Sequence, residues 1–358
     1  MEPSVRPDVF VVGGGIIGCS IAWRLSQRGL KVAICDEKEL GREGSWAGAG
    51  MLVPGSEFDK PGPGLALAKE SLDLYPEFVT ALEEESGKQI DFTRCGALEI
   101  ADSPADFYEL EQRARAQATL GISFELIKPG DLPRFLRPGL SGAIYYSGDA
   151  QVDPRSLMRA LETALSRRRV EQIKNNGAIQ IDVSGARPVV RLRSGDQRES
   201  DHVVLAAGAW TTSIRCVGRN LPAIPAAFPV KGHLVGYHLP SRSLPHILRF
   251  RHTYVVQRSS GYTVAGATVE YEGFNRSVEL GKARQLAKQA YELAPGLLPA
   301  EPCDVWMGFR PGVDAGGPQI GRWGDSNLWL AYGHFRNGIL LAPVTALRMA
   351  EMIVRADA

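Results

Sequence analysis

A short apolar strand that runs into a glycine-rich turn restricts the possible folds of this chain most strongly. Residues 9–18 read VFVVGGGIIG, a β-branched run followed by Gly-x-Gly-x-x-Gly. In such a turn Gly13 permits the tight bend, Gly15 lets backbone N–H groups approach a pyrophosphate, and Gly18 lets the next helix pack on the strand. The anion then lies at the helix N-terminus. The stretch therefore predicts a dinucleotide cradle.

The residues after this turn complete a strand–helix–strand unit. Gly29 ends the predicted helix, and a second apolar strand, residues 31–35, leads to Asp36. An acidic side chain at that place can accept hydrogen bonds from an adenosine ribose. The alternative is an ordinary βαβ unit in which Asp36 only closes a turn. The complete unit favours the dinucleotide site.

Length and charge exclude several classes of function. At 358 residues the chain exceeds one ordinary core, which predicts two domains or one domain with large insertions. Its 41 Lys and Arg nearly balance 40 Asp and Glu, so no overall field would recruit nucleic acid or an anionic membrane. No apolar run reaches the ~18 residues of a membrane span. We expect small-molecule partners, and a homo-oligomer remains an open alternative.

The cysteines and the N-terminal residues indicate a cytoplasmic protein. The beginning of the chain lacks the basic start and apolar core of a secretion signal. The cysteines lie far apart, without a Cys-x-x-Cys pair, so we expect reduced thiols and no metal site. They are Cys19, Cys35, Cys95, Cys216 and Cys303.

Hydrophobic periodicity outlines the rest of the chain. We expect helices over residues 68–82, over 103–120, after Asp153-Pro154, around 280–291 and from about Ile339, with Pro343 in the first turn of the last one. Strands are expected over 92–100, 143–146, 189–192 and 202–206. From residue 229 the pattern becomes rich in β-structure and predicts an antiparallel sheet with strands 234–238, 253–257 and 262–267.

Small residues recur at places where a ligand could approach the main chain. Residues 44–51 (GSWAGAGM) predict a loop in contact with a cofactor, the alternative being a flexible loop. The apolar strand 202–206 likewise leads to Gly208. Arg310 and Arg336 stand beside glycine turns near the end of the chain.

Five such segments resemble, in order and over nearly the whole chain, the D-amino-acid oxidase superfamily of flavoproteins, most closely its glycine oxidase branch. They are residues 48–52, 208–210, 229–232, 308–312 and 333–340. The resemblance implies an α/β fold with a Rossmann-like FAD-binding domain and a second, mostly antiparallel substrate domain. The implied FAD domain is discontinuous (1–85, 145–225 and 305–358), with the substrate domain made of 86–144 and 226–304.

The resemblance also implies the residues that hold non-covalent FAD. It assigns the pyrophosphate to the glycine turn and the adenosine ribose to the end of the second strand. It assigns the diphosphate and flavin side to the loop 44–51, and the adenine to the backbone of Ala178. The isoalloxazine is assigned to residues 334–340. The implied set is Gly13, Gly15, Ile16, Ile17, Gly18, Asp36, Glu37, Gly44, Ser45, Ala49, Gly50, Met51, Ala178, Gly208, His334, Phe335, Arg336, Asn337, Gly338, Ile339 and Leu340.

The implied substrate site contains Arg310, which matches the arginine that holds the substrate carboxylate. Arg336 matches a second substrate-side arginine, Tyr254 a nearby tyrosine, and Met51 a residue beside both ligands. Val269 departs from the family, which has a methionine there, and this leaves the pocket size open. Gly44 also departs, since a hydroxyl residue is common at its position.

The implied reaction is oxidative deamination of glycine by hydride transfer to flavin, giving glyoxylate, ammonia and hydrogen peroxide, with molecular oxygen as acceptor and thiamine biosynthesis as the expected pathway. No Ser-His-Asp or Cys-His arrangement is evident, and we expect no side chain to act as acid or base. D-amino-acid or sarcosine oxidases or dehydrogenases remain alternatives, as does a flavin-binding subunit that acts with a partner. Covalent flavin attachment needs a cysteine after the arginine motif, and none follows Cys303.

Overall fold

The computed structural model describes residues 6–219 and 221–356. Among these residues, no helix combines the length and apolarity that a membrane crossing requires. Short 3-10 helices occupy Pro129–Asp131, Gly208–Ser213 and Phe335–Asn337. The α-helices are α1 (Ile16–Gln27), α2 (Gly44–Ala47), α3 (Pro54–Glu57), α4 (Pro63–Ser86), α5 (Pro104–Ala118), α6 (Pro154–Arg167), α7 (Leu280–Leu293) and α8 (Gly338–Ala356).

The strands form several sheets. In chain order they are β1 (Val9–Val12), β2 (Val32–Cys35), β3 (Met51–Leu52), β4 (Phe92–Thr93), β5 (Ala97–Ala101), β6 (Glu125–Ile127), β7 (Gly142–Tyr146), β8 (Ala150–Val152), β9 (Glu171–Ile173), β10 (Ala178–Asp182), β11 (Val189–Leu192), β12 (Gln197–Glu199), β13 (His202–Leu205), β14 (Arg215–Val217), β15 (Ala227–His238), β16 (Ile247–Phe250), β17 (Thr253–Gln257), β18 (Tyr262–Gly266), β19 (Asp304–Val313), β20 (Gln319–Arg322) and β21 (Leu328–Tyr332).

The first sheet has the strand order β20-β21-β13-β1-β2-β9. All its pairs are parallel except β20 with β21. Strands β1, β2, β13 and β21 are buried throughout, which explains why their sequences are continuous apolar runs without alternation. From β1 the chain proceeds to β2 on one side and later returns to β13 on the other. The carboxyl ends of the strands around such a switch point form the usual ligand crevice of a doubly wound sheet.

The predicted glycine turn joins β1 to α1. Gly13 has φ +106°, and a Cβ there would lie 2.4 Å from the carbonyl oxygen of Ala206 in the neighbouring connection. A Cβ on Gly18 would lie 1.9 Å from the Gly13 carbonyl oxygen. The predicted roles of Gly13 in the bend and of Gly18 in helix packing are therefore confirmed.

The second large sheet has the order β19-β15-β18-β17-β16-β5-β7-β6. It is antiparallel apart from the pair of β16 with β5. Its longest ladder joins β15 to β19, from Ala227 opposite Val313 to Gly236 opposite Asp304. Smaller sheets have the orders β12-β11-β10-β14 and β3-β8-β4. This architecture confirms the predicted fold class.

Several predicted boundaries are confirmed by helix caps. Ser103 precedes α5 and accepts a hydrogen bond from the Asp106 N–H at 3.1 Å, and Asp153 accepts from the first turn of α6. The last helix begins at Gly338, one residue before the expected start.

Other expectations were wrong in detail. The strand expected over 92–100 is broken into β4 and β5, because Gly96 between them has φ +69°. Residues 44–47, expected as a loop, form the short helix α2, and β15 starts seven residues before the expected Leu234. The domain division stays a proposal. Strands β7 and β19 lie entirely in the antiparallel sheet, which favours domain borders after Tyr146 and Val313 over the expected 145 and 305.

The close contact of Gly18 with the glycine turn generates a stability prediction. Gly18→Ala should lower the free energy of unfolding by about 1–3 kcal/mol, because the methyl group must push helix α1 away from β1. Urea denaturation measures this. Gly281→Ala in α7 is the control, since a Cβ there meets no atom within 4 Å, and it should leave stability unchanged or slightly higher. Equal stability of the two variants would contradict the packing role.

Candidate active site

A cavity of about 510 Å³ lies between the two large sheets. One wall is the carboxyl edge of β1, β2, β13 and β21, and the other comes from β15, β17 and β19. Its volume falls within the ~300–1,000 Å³ usual for small-molecule sites. The cavity therefore combines a nucleotide-type sheet edge with side chains from a second sheet.

The structure brings nearly all sequence-predicted site residues to this cavity. Gly18 and Leu340 are the exceptions, because Gly18 packs behind the turn and Leu340 is buried in the core with its carbonyl accepting from Ser71 Oγ at 2.6 Å. The predicted residues on the wall are Gly13, Gly15, Ile16, Ile17, Asp36, Glu37, Gly44, Ser45, Ala49, Gly50, Met51, Ala178, Gly208, Tyr254, Val269, Arg310, His334, Phe335, Arg336, Asn337, Gly338 and Ile339.

The N-terminus of α1 forms a cradle at one part of the wall. Gly15 is the N-cap, and a Cβ there would meet only Ser45 Oγ, at 3.3 Å. The absence of a side chain at Gly15 therefore leaves open space in the cavity. At Gly13 and Gly18, in contrast, the corresponding space is filled by backbone atoms. The Ser45 hydroxyl accepts a hydrogen bond from the Ile16 N–H at 2.9 Å. Backbone donors, the helix dipole and this open space fit a pyrophosphate.

Asp36 both closes a turn and lines the cavity, so its two alternative roles are compatible. Its carboxylate accepts from the N–H groups of Gly14 at 2.7 Å and Lys38 at 2.8 Å. Burial raises the pKa of this carboxyl, while the two backbone donors oppose the shift. A carboxylate has about four acceptor positions, so acceptor capacity remains for ribose hydroxyls. Beside it, Glu37 pairs with Arg193 at 2.7 Å.

A second helix N-terminus faces the cavity at residues 334–339. Gly338 and Ile339 begin α8 and line the wall, so the positive end of the helix dipole is directed there. Phe335 precedes them with φ +50°, an uncommon conformation for a bulky residue and one that concentrates at functional sites. This end of the cavity can stabilise negative charge on a ring system bound against it.

His334 is buried beside this helix and remains uncharged. Burial lowers the pKa of its imidazole to about 3, and Nε2 lies 3.1 Å from Thr345 Oγ1. A neutral, buried imidazole suits a structural neighbour of the cofactor and not a cation at the active site. The glycine cradle, the acid at the end of β2 and the second helix N-terminus together fit FAD.

Arg310, in β19, places its guanidinium group on the wall that the antiparallel sheet forms. Its Nη1 donates to the Thr268 carbonyl at 3.0 Å, and among the described residues no carboxylate lies within salt-bridge distance of it. A Cβ on Gly232 would lie 2.3 Å from Arg310 Nη1, so the guanidinium rests against bare backbone. Burial lowers the pKa of Arg310, yet a guanidinium stays charged at neutral pH. The site can therefore bind a carboxylate.

Tyr254 and Arg336 complete the surroundings of this guanidinium group. Burial raises the pKa of the Tyr254 phenol, which the charges of Arg310 and Arg336 partly oppose. Arg336 Nη2 lies 3.1 Å from Glu57 Oε1. Val269 lines the same region but is 47% exposed, so it lies at the mouth of the cavity and does not close it.

Sequence reasoning gave no individual role to several residues on this wall, among them Glu57, His252, Arg276 and Gly232. Glu57, His252 and Arg276 lie outside the five recognised segments, and Gly232 lies inside one of them but received no individual role. The partners of Glu57, Arg249 and Arg336, are 192 and 279 residues away in sequence, so no local pattern could identify the contact.

A carboxylate cluster outside the cavity has the spacing of a metal site. Glu270, Glu272 and Glu279 bring ligand atoms within 4.8 Å of one another. Lys231 Nζ lies 3.2 Å from both Glu272 and Glu279, and Lys282 Nζ lies 2.7 Å from Glu270. The ammonium groups occupy the positions a cation would take, so the cluster is a salt-bridge network.

The chain matches known proteins over nearly its full length. A family model described as FAD dependent oxidoreductase (DAO) matches residues 8–352. The glycine oxidase of Bacillus licheniformis is 32% identical over 354 residues, covering 98% of this chain and 93% of that protein. The Synechocystis bifunctional protein ThiO/ThiG is 33% identical over 359 residues, covering 97% of this chain and 51% of that protein.

A solved structure agrees with the sequence matches. The crystal structure of glycine oxidase from Geobacillus kaustophilus superposes with a TM-score of 0.91 at 30% identity, covering 98% of this chain and 95% of that one.

The glycine cradle generates a prediction for cofactor binding. Gly15→Val should yield folded protein that retains little FAD, because the branched side chain fills the space beside Ser45. The ratio of flavin absorbance to protein absorbance measures retention. Gly15→Ala is the matched control and should keep more flavin, since its Cβ meets only one atom. A fully yellow Gly15→Val protein would remove the cradle from the cofactor site.

His334 generates a prediction for acid stability. Its pKa falls from 6.5 in the unfolded chain to about 3 in the folded protein, so below pH 6.5 the unfolded chain binds an extra proton. The free energy of unfolding should therefore decrease as the pH is lowered from about 6.5 to about 3. We compare the free energy of unfolding at saturating FAD as the pH is lowered from 6 to 4.5. The wild-type protein should lose up to about 1.4 kcal/mol per pH unit more than the His334→Gln variant. Parallel slopes in urea titrations would show that His334 is not buried neutral.

Proposed function

The chain belongs to the DAO family of FAD-dependent oxidoreductases, and we propose that it oxidises glycine to glyoxylate and ammonia with reduction of oxygen to hydrogen peroxide. The family description supports the FAD-dependent redox chemistry. The names of the glycine oxidase relatives support amine oxidation and, more finely, glycine as the substrate. The relative named ThiO/ThiG supports a place in thiamine biosynthesis.

The observation that carries this proposal is Arg310. It is a buried guanidinium on the cavity wall, held by backbone carbonyl groups and lacking a carboxylate partner among the described residues. A planar fork of this kind binds both oxygens of a carboxylate. A small amino acid would satisfy it while leaving its Cα free to face the flavin.

The proposed work of the protein is mainly orientation. Arg310 fixes the carboxylate, and the hydrophobic wall of Met51 and Ala267 limits the space around Cα. Bound FAD would accept the hydride that leaves Cα and would pass the two electrons to oxygen. With loss of an amine proton the substrate becomes an imine, which water hydrolyses to glyoxylate and ammonia. The N-terminus of α8, at Gly338 and Ile339, would stabilise negative charge on a flavin ring bound against it. Burial lowers the pKa of His334 to about 3, so its imidazole is a weak base at neutral pH and we assign no acid or base role to it.

An oxygen-consumption assay with a panel of substrates tests the proposal. Purified holoprotein should produce hydrogen peroxide with glycine. If the protein prefers sarcosine or a D-amino acid, that compound replaces glycine as the proposed substrate, and the proposed type of reaction stays the same. Flavin-loaded protein that oxidises no amine without an added partner would favour the alternative of a flavin-binding subunit.

Arg310 generates the sharpest prediction for this function. Arg310→Ala should retain FAD but weaken transition-state binding of glycine by about 2–5 kcal/mol, seen as a lower kcat/KM. Arg310→Lys should recover only part of this, because an ammonium cannot form the bidentate contact. Gly232→Ala should act in the same direction, since its methyl group would displace the fork. Unchanged kcat/KM in Arg310→Ala would exclude the carboxylate role.

A further inference from the structure

Glu57 is a buried carboxylate at the substrate end of the cavity. It ends the short helix α3, its side chain is 7% exposed, and it lines the cavity wall. Its Oε1 accepts hydrogen bonds from two arginines, Arg336 at 3.1 Å and the buried Arg249. One carboxylate oxygen therefore ties a substrate-side arginine to the interior of the protein.

The arginines near the substrate differ in how their charge is compensated. Arg336 forms an ion pair with Glu57. Arg276 forms a bidentate ion pair with Glu43, with N···O distances of 2.9 and 3.2 Å. Arg310 has only carbonyl partners at 3.0 and 3.4 Å. Of these three arginines, only Arg310 lacks a carboxylate partner among the described residues.

We propose that Glu57 determines substrate specificity by compensating Arg336, so that the site accepts amino acids with one carboxylate and rejects those with two. The inference rests on the proposed amino-acid oxidation. A second carboxylate would meet an arginine already engaged and would approach the negative charge of Glu57 itself. Both effects act against a dicarboxylate, and a specific site commonly combines attraction for one ligand with repulsion of another.

Glu57 can be neutralised without leaving Arg249 isolated. Arg249 Nη2 also donates to the Ser56 carbonyl at 3.1 Å, and Glu99 and Asp149 are further acidic neighbours that raise its pKa. Arg336 is 35% exposed and has room to turn towards a ligand once its partner is removed. Glu57→Gln keeps the shape of the side chain and removes only its charge.

Titration of the holoenzyme with acetate and with malonate, followed by the flavin absorbance spectrum, tests the proposal. In Glu57→Gln the affinity for malonate relative to acetate should rise roughly tenfold, because Arg336 becomes available for the second carboxylate. The same variant should gain turnover of iminodiacetate relative to glycine.

Two further variants separate specificity from a structural effect. Glu99→Gln removes another buried carboxylate of the same network, one that pairs with Arg113 away from the cavity, and should leave the malonate-to-acetate ratio unchanged. In the double variant Glu57→Gln with Arg336→Gln the gain should disappear.

The outcomes are distinct from those for the proposed function. An unchanged ratio in Glu57→Gln, or an equal rise in Glu99→Gln, overturns the role of Glu57 even if glycine is oxidised. Wild-type protein that oxidises no glycine overturns the proposed function, while the binding ratio still decides the role of Glu57.

Discussion

The close approach of helix α1 to strand β1 is the contact on which the site depends. The absent side chain of Gly18 lets the helix rest against the Gly13 carbonyl, and Gly13 in turn lies against the connection after β13. These backbone contacts fix the N-terminus of α1 at the carboxyl edge of the parallel sheet. A displacement of this helix would move the proposed pyrophosphate cradle relative to Asp36, which follows β2, so main-chain packing sets the geometry of the proposed cofactor site.

The long ladder of β15 with β19 brings the second half of the chemistry to the same cavity. Opposite strands place Gly232 across from Gly308 and Val230 across from Arg310, which sets the guanidinium against bare backbone. The proposed cofactor cradle and the proposed carboxylate anchor thus lie on different sheets. The ladder lies within the antiparallel sheet, so it fixes Arg310 on β19 relative to β15 and Gly232.

Local features were predictable from the sequence because their causes are local. The glycine turn and the Asp153 cap follow from patterns within a few residues. The choice of FAD as cofactor required the recognised segments, which are spread over nearly the whole chain. Glu57 could not be predicted, since its role arises from partners in β16 and before α8 that meet only in the fold. The break at Gly96 was also missed, because a positive φ depends on the neighbouring strands as well as on the residue.

The same long-range contacts determine the electrostatics of the pocket. Burying Arg310 without a carboxylate destabilises the folded protein, as the lowered pKa of its guanidinium indicates. Pairing Arg336 with Glu57 avoids a second cost of the same kind a short distance away. A bound carboxylate would remove the remaining imbalance at Arg310. In the proposed site, the substrate carboxylate therefore completes the charge balance at Arg310. The pairing of Arg336 with Glu57 then favours substrates with a single carboxylate.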